Sequence, residues 1–485
     1  MMNEKEAYLV IDIGTGNARV AVCSVTGEML GVASADMPYQ KDHHYPESIY
    51  FDPQGLWELI TQLTRQALAE CGAVNILAVS STSQREGIVL IGRSGQSLIG
   101  LPNIDHRGRE WEKDLRSDQK DRIYALAGRY PTSLFSAMKL VGIRERRQEI
   151  WNELETFTSI SDWVTYMLSG HCVYEHSQAS ETLVYDVAQQ SWSDELLSIF
   201  GLHHGLLPAL SVSGAILGKV KAEEASRLGI ITEAQVIVGG ADTQLGIEST
   251  CPESGDVVIV SGTTTPIVQV SETYLTDEKQ RLWTGRHTDN QHYVIEANAG
   301  VTGLNYQRLK EVFYPNESYD VIEKELEAAG SCNCVAALGS LIADESSPLI
   351  RAGFIFDVPV SHLLSRADFV RATLWDVACS IKENYDVLHA ISPHEKDYVW
   401  ACGGGMQSAA LRRILANLLG KKILVRSNAR QASVAGAAAI CNRALSRPQP
   451  VPETADTILP VVDEQQTLAY QQWKSTRQTL KSVSL

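Results

Sequence analysis

The sequence predicts an α/β protein with two large domains, and three observations support this prediction. Its 485 residues exceed the roughly 100–200 residues that one domain usually contains. A β-hairpin pattern occurs twice, because residues 9–22 align with residues 257–270 at a shift of 257 − 9 = 248 positions. Strand-like segments at 235–238 and 398–401 each run through glycines into a helix-like segment, a succession typical of α/β sheets.

The composition is that of an ordinary globular enzyme with an acidic surface. Hydrophobic residues make up 44% of the chain and charged residues 21%. Lys and Arg total 42 against 58 Asp and Glu, so the net charge of 42 − 58 = −16 repels the phosphate backbone of nucleic acids. Residues 1–7 lack an apolar signal core, and no stretch approaches the roughly 20 apolar residues of a membrane span. We therefore expect a cytoplasmic protein that binds neither nucleic acid nor membrane.

The cysteines and histidines give little indication of a metal site. Nine cysteines, an odd number, are scattered through the chain, which favours reduced thiols over a disulfide framework. Cys332 and Cys334 form a close pair, but no matching Cys or His pair lies nearby. The same holds for the doublets at 43–44 and 203–204, so we expect no metal at any of the three places.

The tip of the repeated hairpin predicts a phosphate site. In the first copy the strand residues run into Gly14, Thr15 and Gly16, and the second copy repeats the pair as Gly262 and Thr263. Glycines let the backbone approach a ligand, and successive N–H groups in such a turn form a concave anion site. A Gly-Thr turn alone is as consistent with a plain β-turn, but its duplication favours phosphate binding.

The two hairpins differ at one informative position. Asp12 of the first copy aligns with Val260 of the second, so only the first offers a carboxylate. Mg²⁺ takes one or two carboxylates together with phosphate oxygens and water, and a single Asp beside a phosphate loop suffices. A purely structural role for Asp12 is disfavoured, because an ionised carboxylate in an apolar strand is costly unless something binds it.

Other phosphate-binding motifs fit the sequence poorly. The segment at 14–19 lacks the third glycine of a dinucleotide fingerprint, and a strand follows it where that motif has a helix. No Gly-Lys-Ser/Thr element of the Walker type occurs. A dehydrogenase and a Walker-type nucleotidase are therefore disfavoured.

Two polar groups follow predicted strands and predict a substrate site. Gln84, Arg85 and Glu86 supply an amide, a guanidinium and a carboxylate, which suits a ligand rich in hydroxyls, although an exposed ion pair is the alternative. Asp242 lies at a strand-to-helix turn, where a carboxylate can accept a hydroxyl proton during phosphoryl transfer or can simply cap the helix. On position alone the two roles of Asp242 are equally supported.

A glycine tract late in the chain predicts a nucleoside site. Gly403, Gly404 and Gly405 stand between a strand and a helix, and they leave room for a flat ring. Taken alone, the tract is equally consistent with a tight turn.

These residues, in this order, resemble the FGGY carbohydrate kinases over about residues 8–445. The resemblance implies two ribonuclease-H-like domains of the actin-like ATPase architecture with a central cleft, and ATP and Mg²⁺ as cofactors. Asp12 matches the family's metal site and Asp242 its catalytic base. The remaining matches imply phosphate, adenosine and substrate contacts, and their residues are Gly14, Thr15, Gly16, Asn17, Arg19, Gly262, Thr263, Gly403, Gly404, Gly405, Gln84, Arg85, Glu86 and Gln244.

Within the family, residues 85–90, 161–170 and 244–246 look most like autoinducer-2 kinases. Leu134 stands where glycerol kinases place an aromatic residue, so glycerol is less favoured. Gly142 replaces a Trp that is frequent in the family signature, and residues 337–356 lack the usual Gly-Glu-Arg element. The resemblance therefore implies an autoinducer-2-like substrate, with a ketose, alditol or glycerol as the alternative.

The expected organisation is a substrate and Mg²⁺/phosphate domain at 1–250, an ATP domain at 251–445 and a C-terminal extension at 446–485. The sequence also leaves open whether the protein forms a homodimer. A hypothesis of another class is a nucleotide-driven actin-like switch without phosphotransfer to a small molecule. The combination of Gln84, Arg85 and Glu86 with Asp242 argues against a switch, which needs neither site, and the intact Asp12 and Asp242 argue against a non-catalytic relative.

Overall fold

The architecture comes from a computed structural model, which describes residues 5–328, 334–345, 348–461 and 464–482. Two compact units emerge from the backbone contacts, and both are discontinuous in sequence. Unit 1 comprises Met1–Cys251, Ser271–Val294 and Ala432–Val451, whereas unit 2 comprises Pro252–Val270, Ile295–Gln431 and Pro452–Leu485. Among the described helices, none combines the length and the apolar character that crossing a membrane requires.

The strands are short to medium in length and most of them belong to two large sheets. In chain order they are β1 Lys5–Ile13, β2 Asn17–Ser24, β3 Met29–Asp36, β4 Gln40–Lys41, β5 Ile49–Tyr50, β6 Val74–Ser83, β7 Ile88–Gly92, β8 Ser97–Leu101, β9 Leu154–Ser159, β10 Val173–Glu175, β11 Tyr185–Asp186, β12 Ser191–Trp192, β13 Ala209–Ser211, β14 Ile216–Lys219, β15 Gln235–Ala241, β16 Val257–Val260, β17 Pro266–Ser271, β18 Trp283–Arg286, β19 Tyr293–Asn298, β20 Val335–Ala337, β21 Gly353–Ile355, β22 Tyr398–Cys402, β23 Lys422–Arg426 and β24 Thr454–Ile458.

The α-helices in chain order are α1 Pro53–Cys71, α2 Ser117–Ala127, α3 Ser136–Arg146, α4 Gln148–Glu153, α5 Ile160–Ser169, α6 His176–Ala179, α7 Asp194–Phe200, α8 Ala222–Leu228, α9 Asp242–Glu248, α10 Gly303–Phe313, α11 Tyr319–Ala328, α12 Arg366–Ile391, α13 Ala409–Leu419, α14 Ala432–Ala444 and α15 Glu464–Lys481. Short 3-10 helices span Arg109–Asp114, His204–Leu206, Gly404–Gln407 and Ala429–Gln431.

The main sheets of the two units share one topology. Unit 1 holds a six-stranded sheet in the order β14-β15-β6-β1-β2-β3, and unit 2 holds most of a seven-stranded sheet in the order β18-β19-β17-β16-β22-β23-β24. In each sheet an antiparallel hairpin, β1-β2 or β16-β17, is followed by two parallel strands and an antiparallel edge strand. The duplicated hairpin of the sequence is therefore the start of a duplicated sheet, and the predicted α/β class is confirmed.

The second hairpin pairs one residue out of step with the first. Val10 faces Ala21 in the first copy, whereas its counterpart Val258 faces Val268 in the second. The stretch between the last described pairs is accordingly longer at the second tip, from Ile259 to Ile267, than at the first, from Ile13 to Ala18. The sequence repeat correctly predicts both hairpins but does not reveal this change of register.

Helices cover both faces of the unit 1 sheet, and the strand period of two decides which side chain meets which helix. Leu9 and Ile11 belong to a buried cluster with residues of α1, α5 and α8. Tyr8 and Val10 belong to a second cluster, with residues of α9 and α14 on the opposite face. Asp12 continues the even-numbered series and so lies on the α14 face.

Candidate active site

Asp12 is held at the end of β1 by α14. Its side chain is largely buried, and its Oδ2 accepts a hydrogen bond of 2.8 Å from the Ser433 hydroxyl and lies 3.9 Å from Nη1 of Arg19. Burial raises the pKa of Asp12, and the Arg19 charge and the Ser433 hydroxyl oppose that rise. A buried carboxylate with one hydroxyl and one distant cation has the chemistry of a Mg²⁺ ligand.

The first glycine tip is braced by polar contacts from three directions. Gly14 N–H donates to the Asn17 carbonyl at 2.9 Å, and the Tyr39 hydroxyl donates to the Thr15 carbonyl at 2.8 Å. The Thr15 hydroxyl pairs with the Asn103 side chain, whose Nδ2 lies 2.9 Å away. A Cβ at Gly16 would meet nothing within 4 Å, so the tip has open space beside its backbone.

Gln84 connects the end of β6 to that tip. Its Nε2 donates to the Gly14 carbonyl at 3.1 Å, and its Oε1 accepts from the Asn103 N–H at 2.8 Å. Both amide atoms therefore have partners inside the protein, and the structure shows Gln84 as a brace of the loop. Its predicted contact with substrate stays a prediction.

Arg85 and Glu86 are buried together after β6. Nε of Arg85 lies 4.0 Å from Glu86 Oε1, and its Nη1 lies 3.8 Å from Oε1 of Glu181. The guanidinium also lies 5.9 Å from the centroid of the Trp283 ring. Glu86 adopts a φ of 62°, a conformation that non-glycine residues adopt rarely and that clusters at ligand sites. These residues therefore do not form the exposed ion pair that was the alternative prediction.

Further buried charges, which were not predicted from the sequence, surround this pair. Arg129 makes a two-pronged ion pair with Glu181, and both are almost fully buried. Burial lowers the pKa of Lys139, which donates to the Asn103 carbonyl at 3.4 Å, and burial raises the pKa of Glu86. Arg129 and Glu181 carry no local sequence signal, because they meet across 52 residues of chain.

Asp242 is the first residue of α9, immediately after β15. Ala241 occupies the N-cap position, so Asp242 is not the helix cap. Its Oδ1 accepts instead from the N–H of the next residue, Thr243, at 2.7 Å. Burial raises the pKa of Asp242 to about 7, the Arg85 charge counteracts this, and the Asp12 charge adds to it. These influences link Asp242 electrostatically to both Asp12 and Arg85.

Gln244 lies one half-turn further along α9. It is fully buried, and neither its Oε1 nor its Nε2 has a hydrogen-bond partner among the residues that the structure describes. A buried amide without partners costs free energy that a hydroxyl-bearing ligand recovers. This feature fits the substrate role that was predicted for Gln244.

A relay of polar groups fixes the backbone in front of Asp242. The Ala241 N–H donates to the Ser177 hydroxyl at 3.0 Å, and that hydroxyl donates to Glu175 Oε2. Burial raises the pKa of Glu175 to about 8. Gly240 packs so closely here that a Cβ would lie 2.6 Å from Cγ2 of Thr288.

In unit 2 the second tip and the glycine tract lie side by side. Gly405 N–H donates to the Ser261 carbonyl at 3.0 Å, and a Cβ at Gly403 would lie 2.4 Å from the same oxygen. A Cβ at Gly404 would meet nothing within 4 Å. Gly262 and Thr263 are exposed beside Ser261. Two glycines of the tract thus permit close packing, and the third borders open space.

No group of three or more His, Cys, Asp or Glu side chains that is suited to a metal occurs within the described ranges. His44 and His204 instead pair with Asp42 and Asp194. Cys332, one of the two cysteines considered above, lies outside the described residues.

Comparison with known proteins identifies the family. The N-terminal domain of the FGGY family of carbohydrate kinases matches residues 7–247, and its C-terminal domain matches residues 257–445. The chain belongs to the FGGY family of carbohydrate kinases. It is therefore an enzyme that phosphorylates small carbohydrates, and the hypothesis of a switch without phosphotransfer is set aside.

Individual relatives of this FGGY kinase agree with that assignment. "Putative sugar kinase YoaC" of Bacillus subtilis (strain 168) is 48% identical over 478 residues, which cover 98% of each chain. An autoinducer-2 kinase of Photorhabdus laumondii is 26% identical over 87% of this chain and 83% of that protein. The crystal structure of a ligand-bound xylulose kinase from Lactobacillus acidophilus superposes with a TM-score of 0.84 at 17% identity, covering 98% of this chain and 99% of the other. The predicted ribonuclease-H-like, actin-like ATPase fold is thereby confirmed.

The structure brings the predicted site residues together in two groups. Asp12, the first tip and the residues of β2 form one group in unit 1, with Arg85, Glu86, Asp242 and Gln244 on neighbouring strand ends. Gly262, Thr263 and the glycine tract form the other group, in unit 2. Ser433, Asn103, Lys139 and Glu181 are the additional members that the sequence analysis did not place.

Proposed function

We propose that this FGGY kinase transfers the terminal phosphoryl group of ATP to a hydroxyl of a small polyhydroxylated substrate, with Asp242 as the general base. The observation that carries the proposal is the position of Asp242, a half-buried carboxylate at the start of α9 whose Oδ1 accepts from the Thr243 N–H, and burial raises its pKa to about 7. A base with this pKa exists in part as the carboxylate and still has enough basicity to accept a hydroxyl proton.

Arg85 and Gln244 complete the substrate side of the proposal. The Arg85 charge favours the ionised form of Asp242, and it also offers donors to substrate hydroxyls. The unpartnered amide of Gln244 supplies both a donor and an acceptor on the same helix as Asp242. Glu86 accepts hydroxyl hydrogens when ionised and donates one when protonated, so either state suits a polyol.

On the nucleotide side we assign Mg²⁺ to Asp12. When bound, this ion would neutralise charge on the phosphate oxygens and align the terminal phosphoryl group. Arg19 and the amide groups of Gly14, Thr15, Gly16 and Asn17 would hold phosphate oxygens, as would Gly262 and Thr263 in the second copy. The tract of Gly403, Gly404 and Gly405 would hold the adenosine.

For the substrate we propose an autoinducer-2-like polyol. Two findings support this choice: the likeness of residues 85–90 and 244–246 to autoinducer-2 kinases, and the autoinducer-2 kinase that is 26% identical over 87% of this chain. The more similar relative, at 48%, is named only as a sugar kinase, so a ketose, an alditol or glycerol is the alternative. A coupled ADP-release screen across glycerol, pentuloses, alditols, aldonates and the autoinducer-2 precursor decides between them. Turnover confined to the pentuloses would refute the first choice.

The base assignment is tested by Asp242→Asn. We expect kcat to fall by roughly 10²–10⁴-fold, because general-base assistance is lost while nucleotide binding is kept. Affinity for the non-hydrolysable analogue AMP-PNP, measured by calorimetry, should change little. Asp118→Asn, at an exposed acid of α2, is the matched control. Undiminished turnover in Asp242→Asn would remove Asp242 from the mechanism.

We also propose that the enzyme acts in the cytoplasm. The eight cysteines within the described part of the chain are all free thiols, which fits a reducing compartment.

A further inference from the structure

The C-terminal helix α15 lies beyond residue 445, where the family match ends, yet it is firmly anchored in unit 2. Trp473 is completely buried although most of the helix is exposed. Its indole Nε1 donates to Oδ1 of Asp376 on α12 at 2.8 Å. A loosely attached tail would not bury its largest side chain and satisfy it with a carboxylate.

A second side chain of α15 reaches the same place. Arg477 is buried one turn after Trp473, and its Nη1 lies 3.3 Å from the Ser340 hydroxyl, while its Nη2 donates to the Ser340 carbonyl. Nε of Arg477 donates to Glu345 at 2.8 Å. Asp376, the partner of Trp473, also accepts from the Ser340 hydroxyl, at 3.2 Å. Both anchors of α15 therefore converge on Ser340.

Leu341, the residue after Ser340, contacts a turn that follows β19. The Leu341 N–H donates to the Ala299 carbonyl at 2.8 Å. The Leu341 side chain also fills the space beside Gly300, where a Cβ would lie 2.6 Å from its Cγ. Thr265 bonds to the same turn in both directions, because its N–H donates to Gly300 at 3.1 Å and its carbonyl accepts from Ala299 at 2.9 Å.

That turn leads directly to the second glycine-threonine tip. Gly303 packs so tightly on the tip that a Cβ would lie 2.0 Å from the Gly262 carbonyl oxygen. The Leu304 N–H donates to the Thr263 carbonyl at 3.3 Å. An unbroken series of direct contacts thus connects α15 to Gly262 and Thr263, and every member belongs to unit 2.

We propose that Trp473 and Arg477 are positioning residues for the phosphate-binding tip at Gly262 and Thr263. Backbone N–H groups bind phosphate well only when they already point at it, so loosening the support of an exposed tip weakens the grip on the triphosphate. The proposal rests on the assignment of this tip to ATP under the proposed function. It makes these two side chains of the C-terminal segment, Trp473 and Arg477, part of the nucleotide-binding machinery.

The test uses the full chain with AMP-PNP and Mg²⁺ as probe. Trp473→Phe keeps an aromatic ring but loses the indole donor, and Arg477→Gln loses the guanidinium contacts with Ser340 and Glu345. Ser340→Ala removes only the hydroxyl that contacts Arg477 and donates to Asp376, the partner of Trp473. We expect each variant to bind AMP-PNP roughly tenfold more weakly by calorimetry. Lys474→Ala, which removes a half-exposed ion pair with Glu383 from the same helix, is the control and should match the wild type.

Thermal midpoints separate positioning from plain stabilisation. A variant that melts earlier but binds AMP-PNP within twofold of the wild type, at a temperature where it is folded, would overturn the proposal. Because Ser340→Ala is the mildest change, it keeps the test decisive if either helix variant fails to fold. A wild-type protein that binds no AMP-PNP would refute the ATP assignment itself, whereas normal wild-type binding with unaffected variants would refute only the role of α15.

Discussion

The raised pKa of Asp242 makes a quantitative prediction about pH dependence. An ordinary aspartate has a pKa of 3.8, so its ionisation would leave activity flat from pH 5 upward, whereas Asp242 titrates at about 7. Because only the carboxylate can accept the hydroxyl proton, kcat/KM should rise about tenfold per pH unit below 7 and level off above it. At pH 6 only about a tenth of the molecules would hold an ionised base.

A neighbouring positive charge should set the position of this transition. Arg85 lowers the pKa of Asp242, so Arg85→Met should shift the acid limb to higher pH. The variant also loses rate, since Arg85 is proposed to bind substrate, but the pH at which the limb lies is read independently of the maximal rate.

The assay is ADP release from pH 5 to 9 at saturating Mg²⁺, on the substrate that the screen identifies. Comparison of each variant with the wild type cancels the titration of ATP itself. Arg116→Met, at an exposed guanidinium of the same unit, is the control and should leave the profile in place. A wild-type profile that is flat between pH 5 and 8 would refute the base assignment, and an Arg85→Met limb that coincides with that of the wild type would refute the electrostatic coupling.

Two further substitutions address the support of the site. Gln244→Leu removes a buried amide that has no partner among the described residues, so the free energy of unfolding should stay the same or rise by about 1–3 kcal/mol, while KM for the sugar increases. Denaturant unfolding measures the first effect and steady-state kinetics the second. A lower stability with an unchanged KM would contradict the substrate role. Gly436→Ala on α14 places a Cβ 1.9 Å from the Leu245 carbonyl oxygen of α9. This clash should lower the free energy of unfolding by about 1–3 kcal/mol and reduce kcat, because α9 carries Asp242. An equally stable and equally active variant would show that the two helices adjust freely.

Much of the fold follows from local sequence. Asp52 caps α1 and Pro53 begins it, as their types predict, and α12 spans Arg366–Ile391 as its apolar period indicates. The duplicated hairpin can be recognised in the sequence because the glycines and the alternating valines recur at a fixed shift. Both features depend on residues close together in the chain.

One strand end was predicted too early. The strand predicted at residues 235–238 stops before Gly239 and Gly240, but β15 continues to Ala241. The reason is close packing, since a Cβ at Gly239 would lie 1.9 Å from the Ser81 carbonyl on the neighbouring strand β6. Glycine in a strand is thus needed here for the approach of another backbone, which local propensity cannot distinguish from a turn.

The members of the site that were not predicted depend on long-range contacts. Ser433 meets Asp12 across 421 residues, and Asn103 meets Thr15 across 88. Neither residue differs locally from an ordinary serine or asparagine, so only the folded chain reveals its role. The boundaries at 250 and 445 and the roles of the individual site residues stay predictions.

The position of α14 in the chain has a consequence for synthesis. This helix seals the face of the first sheet that carries Tyr8 and Val10, yet residues 432–444 emerge from the ribosome long after residue 251. At a translation rate of about 5–20 residues per second, that apolar face stays uncovered for roughly 10–40 s before α14 has been synthesised. A nascent chain, or a fragment that ends near residue 250, would therefore expose an apolar surface that is prone to aggregation. We expect this protein to need chaperone protection during translation, and its amino-terminal half to aggregate when expressed alone.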